Sequence, residues 1–103
     1  MSDYSEIHKE MGTNHADFLR LLPRSVPSAD ISWQGDEASG CRIIIEKAPT
    51  GRIEIDLSPV GVRQIALLKL PTTHVTFRFY GMSPQQAEAE HARMAKHFQR
   101  GGG

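Results

Sequence analysis

Two alternating runs joined by a short turn constrain this chain more than any other feature. Cys41, Ile43 and Ile45 share one parity, with Arg42, Ile44 and Glu46 on the other. Ile53, Ile55 and Leu57 then alternate with Arg52, Glu54 and Asp56. Period two sends the two sets to opposite faces of a strand. Between the runs, Ala48-Pro49-Thr50-Gly51 is short enough for a hairpin, since proline presets φ and glycine accepts positive φ. An antiparallel pair with one apolar face needs something to cover that face.

The flanks supply candidate covers. Tyr4, Ile7, Met11, His15, Phe18 and Leu22 fall at helical spacing, so a helix is expected over Asp3–Leu22, started by Asp3 and Glu6 and stopped by Pro23. Gly12 divides this segment, leaving 1–12 as a frayed start and a firmer helix from Thr13 or Asn14. At the other end Ser83-Pro84-Gln85-Gln86 reads as N-cap, N1 and N3 of a capping box. Met82 and Ala87 stand at the staple positions. Ala87, His91, Met94 and Phe98 form one stripe, and Gly101 stands as the residue after the helix.

The remaining segments read as follows. Pro23–Gly40 is loop, with Asp30-Ile31-Ser32-Trp33 as a short edge strand. Ser58-Pro59-Val60-Gly61 and Pro71-Thr72-Thr73 are turns. Arg63–Leu70 is apolar on both parities, as a central strand covered on both sides would be, a pattern that also fits a helix. His74–Tyr80 places Val75, Phe77 and Phe79 on one face. The expected architecture is a single α+β domain over 1–103, α-β(4–5)-α. Its antiparallel meander carries both helices on one face, and 101–103 forms a flexible tail. The other face would present Arg42, Glu46, Arg52, Glu54, Asp56, His74, Thr76 and Arg78 to water as cross-strand charge pairs.

Length and charge narrow the function. The 103 residues suffice for a core without metal or disulfide, and a lone cysteine excludes an internal bridge. No apolar run is long enough for a membrane helix. The polar start Met1–Glu6 has no signal-peptide pattern, so a cytoplasmic location is expected. Net charge is zero, but residues 1–56 hold ten acids against six bases and residues 57–103 two acids against six bases. That split does not point to nucleic acid; it is compatible with complementarity inside the fold or in a homodimer.

Chemistry is sparse. The histidines lack metal-ligand spacing, the serines lack a nucleophile context, no glycine-rich loop cradles a phosphate, and Cys41 shares the core parity. No cofactor, metal site or catalytic group is expected. Two charged stripes remain as candidate docking residues: Glu6, Glu10 and Asp17 on the first helix, and Arg93, Lys96 and Arg100 on the last. The expected function is a non-catalytic protein-interaction module.

The tail Arg100-Gly101-Gly102-Gly103 resembles that of ubiquitin-like modifiers and bacterial sulfur carriers. The resemblance implies activation of a terminal carboxylate and makes Gly102 and Gly103 the reactive end. Those carriers feed the tail from a strand, whereas here a helix precedes it, so the carrier ranks as the alternative function. The order helix, sheet, helix also resembles frataxin-like iron-delivery proteins, at the level of the fold alone.

Overall fold

In the computed structural model, residues 4–26, 29–47 and 51–100 are described. Eight elements follow in order: β1 (Tyr4–Met11), α1 (His15–Ser25), β2 (Asp30–Asp36), β3 (Gly40–Lys47), β4 (Gly51–Leu57), β5 (Gly61–Ile65), β6 (Leu68–Tyr80) and α2 (Pro84–Arg100). The fold is α+β, with the two helices in contact on one side of an antiparallel sheet ordered β1-β6-β4-β3-β2.

The two alternating runs form β3 and β4 as expected. Ile43 pairs with Ile55 and Ile45 with Ile53, all fully buried. Residues 48–50 of the expected turn lie outside the described residues. Gly51 has φ 131°, and a Cβ there would stand 2.2 Å from the Tyr80 carbonyl oxygen, so only glycine fits. Beneath the helices lie Ile43, Ile45, Ile53, Ile55, Val75, Phe77 and Phe79. Phe18 of α1 stacks on Phe98 of α2 with ring centroids 4.6 Å apart, which ties the helices over this floor. Each large side chain buried there contributes roughly 1.5–3 kcal/mol.

The last helix starts as expected. Ser83 Oγ accepts from Gln86 N–H at 3.2 Å, and Gln86 Oε1 accepts from Ser83 N–H at 2.8 Å. Ala87, Met94 and Phe98 are buried, and Met82 packs against the core. Gly101 lies outside the described residues.

Five expectations fail. The segment from Asp3 to Leu22 is not one helix: Tyr4–Met11 is the edge strand β1, paired with β6 from Tyr4–Tyr80 to Met11–Thr73. The firmer helix after Gly12 is present: α1 begins at His15 with Asn14 as its N-cap, whose side chain accepts from Asp17 N–H at 2.8 Å. Pro23 does not stop it. Proline stands in the last turn, where it costs one backbone bond, and α1 runs on to Ser25.

Arg63–Leu70 is not a central strand. The chain reverses at Ala66 and Leu67, between paired Ile65 and Leu68, and β5 pairs with the first half of β6. Neither Ser58–Gly61 nor Pro71–Thr73 reverses the chain. β4 and β5 both run antiparallel to β6, so together they form one long hairpin with an irregular joint. β6 passes through Pro71 without a break. β1 joins β6 only from Thr73 onward, so the outer edge beside Pro71 needs no donor. The far end of this hairpin, 61–72, is a two-stranded arm.

Candidate functional site

The sheet face away from the helices carries a charge network. Strand order explains it: β6 lies between β1 and β4, so Arg78 stands opposite Glu6 on one side and Glu54 on the other and reaches diagonally to Asp56. Arg78 Nε donates to Glu6 at 2.9 Å, and its Nη1 donates to Asp56. Arg42 Nε donates to Asp56 at 2.9 Å, and Arg52 pairs with Glu54 at 3.1 Å. Burial pushes the Asp56 carboxyl up, but the hydrogen bonds from Arg42 and Arg78 outweigh it and hold the group below the ordinary carboxylate range. The expected cross-strand pairs are therefore present.

On the same face Glu6 Oε2 lies 2.9 Å from His8 Nε2, and Thr76 Oγ1 lies 3.2 Å from His8 Nδ1. A carboxylate accepts only, so Nε2 carries the proton when the ring is neutral and Nδ1 accepts. This bond to His8 holds the Glu6 carboxyl below its ordinary range, with Arg78 adding to it. Carboxylate, imidazole and hydroxyl in a row is the order of a nucleophilic triad. Here the row lies flat on an open sheet. β6 is paired on both sides at Thr76, so its backbone N–H groups serve the ladders and leave no donors for an oxyanion. The arrangement stabilises the sheet. Among the described residues no group of three or more His, Cys, Asp or Glu is placed to hold a metal ion.

The residues expected to form docking stripes are scattered. Glu6 and Glu10 belong to β1, not to a helix, and Asp17 lies at the start of α1 beside Arg20. The acidic first helix, and with it the likeness to frataxin-like proteins, is therefore absent. Arg93 is engaged inside the fold: Nη1 donates to the carbonyl of Ser25 at the end of α1, and Nη2 to Glu90. It satisfies a helix-end carbonyl that has no intrahelical donor. Lys96 is exposed on α2. Arg100 ends α2, and Gly102 and Gly103 lie outside the described residues. His15 is buried, and its Nε2–H donates to the Ser58 carbonyl at 2.7 Å, so it joins α1 to the β4–β5 joint. Cys41 is buried, and burial, then Asp36, raises its thiol pKa, the opposite of a reactive thiolate.

The arm is the surface that sequence reasoning missed. Val62, Ile65, Leu67, Leu68 and Leu70 all stand exposed on it, Leu67 at 97%. Cross-strand pairing puts Ile65, Leu68, Leu70 and Arg63 on one face and Val62, Pro71, Gln64 and Lys69 on the other. The outer edges of β5 and of the Leu68–Thr72 stretch are unpaired among the described residues. The signal in the sequence was apolarity on both parities, which fits a buried strand and an uncovered hairpin equally well.

The far edge of the sheet is β2. It is almost wholly exposed, with Trp33 at 54% and with Asp30, Asp36 and Glu37 along or beside it. Asp36 also organises the following turn, accepting from Ser39 Oγ and N–H, both at 2.8 Å, which lowers its pKa. No described helix is long and apolar enough to cross a membrane. No protein-family model, no curated protein and no solved structure matches this chain.

Proposed function

We propose that this protein is a non-catalytic interaction module that docks through its β5–β6 arm, and that the arm seats on the β2 edge of a second copy. The single observation that carries the reading is the cluster of five exposed aliphatic side chains on the arm. A two-stranded hairpin with nothing packed on it is marginal in water. Apolar surface concentrated in this way marks an interaction site.

The second copy is favoured over a foreign partner by what β2 offers. The arm carries Arg63 and Lys69 and no acid between Gly61 and Thr72, while Asp30, Asp36 and Glu37 line β2. The five residues of β5 fit within the seven of β2, and both edges have free backbone groups to pair. A two-fold pair covers both arms at once. Burying Ile65, Leu68 and Leu70, which share a face, with Leu67 at the tip contributes about 4–7 kcal/mol per arm, against an association cost of roughly 4–15 kcal/mol. One arm alone leaves little surplus, whereas two give a stable dimer.

Light scattering on a sizing column tests this. The full chain is expected to run as a dimer at tens of micromolar, order of magnitude. Leu67→Asp with Leu68→Lys is expected to give a monomer with an unchanged circular dichroism spectrum. A wild-type monomer at about 1 mM, or a variant that remains dimeric, refutes the arm as the docking surface.

A further inference from the structure

Where α2 passes over the end of β1, the two layers part and leave a groove of about 310 Å³. The cause is in the sequence of β1. Its inward parity reads Ser5, Ile7, Lys9, Met11, so an ammonium stands where a core side chain would otherwise join strand to helix. Lysine is almost never fully buried, and the layers stay open around it. Phe77 floors the groove, α2 contributes His91, Ala95 and Phe98, and Met11 and Gly12 close one end. Glu10 also borders it, but its carboxylate is held by Thr72 at 3.2 Å and lies 3.9 Å from Arg63.

Two polar groups in this groove have no hydrogen-bond or ion-pair partner among the described residues. Lys9 is exposed and makes no ion pair, and neither ring nitrogen of His91 is hydrogen-bonded. The His91 ring meets Phe77 edge-on, centroids 4.8 Å apart. An apolar trough with one cation and one imidazole at its rim matches an amphipathic anion. The volume stands at the small end of the roughly 300–1,000 Å³ of small-molecule sites, enough for a ligand of one ring.

We propose that the groove binds a small arylalkyl carboxylate, its ring against Phe77, Phe98 and Met11 and its carboxylate between Lys9 and His91. This site is separate from the arm and stands or falls independently of it. Burial, and then the Lys9 charge, hold His91 below the ordinary histidine pKa. At neutral pH it therefore offers an N–H donor, and Lys9 supplies the charge.

Amide chemical shifts of the full chain, titrated with 3-phenylpropionate and with its neutral amide, test the site. Saturable shifts are expected at Met11, Gly12 and Ala95, with the acid bound about tenfold more tightly than the amide. Lys9→Met is expected to erase that preference. Because Lys9 is exposed, the variant keeps its fold, which a thermal melt checks. Ala95→Phe, which fills the groove, is expected to abolish the shifts; if it unfolds, the Lys9→Met comparison decides. No saturable shift up to roughly 10 mM, equal affinity for acid and amide, or shifts confined to the arm overturn the proposal.

Discussion

Asp56 is held by two guanidinium groups at once. Arg42 and Arg78 both donate to it, and the group is partly buried. Hydrogen bonds to charged groups are worth about 1.5–3 kcal/mol each when removal leaves a partner unsatisfied. Arg78 keeps Glu6 and Arg42 is mostly exposed, so Asp56→Asn is expected to cost about 1–3 kcal/mol near neutral pH. The sign with pH follows from the lowered pKa in the fold. Below the ordinary aspartate value of about 3.9 the unfolded chain takes up the proton first. The stabilisation is therefore full above that value and is lost as pH falls through the folded-state pKa. Urea unfolding of both proteins near pH 7 and near pH 3 checks this: the gap should narrow in acid, and a gap that stays constant contradicts it. At this scale the sequence was legible where a residue acts with near neighbours. Ser83 and Gln86 announced their cap, and Cys41 its core parity. Arg93 was not legible, because its partner Ser25 is remote in the chain and belongs to another helix.

Elements were legible where only one period fits. Ile53, Ile55 and Leu57 fit two and not 3.6, and they form β4. Ile7 and Met11 are four apart, which fits one helical turn and two strand repeats alike, so β1 hid inside the pattern of α1. The decisive fact was remote: a free β6 edge from Thr73 to Tyr80 that this segment pairs. The arm hid for a local reason. Its two-residue turn lacks glycine, although Ala66 has φ 55° and Leu67 does not share the positive sign. A two-residue hairpin loop of that kind prefers glycine at its first position. An L-residue there costs roughly 1–2 kcal/mol that glycine avoids. Ala66→Gly is thus expected to stabilise the arm by about 1 kcal/mol, net of glycine's greater chain entropy. Hydrogen exchange of the β5 and Leu68–Thr72 amides should slow by about fivefold while the core amides stay unchanged. Faster exchange in the arm would mean that the turn does not hold the hairpin.

Across the whole molecule the charge split becomes intelligible once strand order is known. The acidic first half contributes β1 and β4, the basic second half contributes β6, and the sheet interleaves them so that Arg78 meets Glu6 and Asp56. The split itself was readable from the sequence; the pairing was not, because it depends on which strands become neighbours. Among the described residues this interleaving leaves two clusters of like charge apart from each other: the basic arm, where Arg63 lies 3.9 Å from Glu10, and the acidic β2 edge. If the arm seats on β2 of a second copy, salt must act differently on folding and on association. Raising ionic strength from about 0.01 M to about 1 M shortens the screening length from about 30 Å to about 3 Å. The partly buried Arg78–Asp56 pair is screened little, so urea midpoints should move slightly. The dimer dissociation constant should rise by roughly tenfold, since exposed charges lose their attraction. Asp30→Lys should weaken the dimer at low salt, and Arg63→Glu with Lys69→Glu in a mixed partner should restore it. Asp30 suits this exchange because it is exposed, whereas Asp36 also holds its own turn together. A dimer that tightens with salt, and ignores Asp30→Lys, would instead place one arm against the other through Ile65, Leu68 and Leu70. That packing sets two Arg63 side chains near each other, a repulsion that salt relieves.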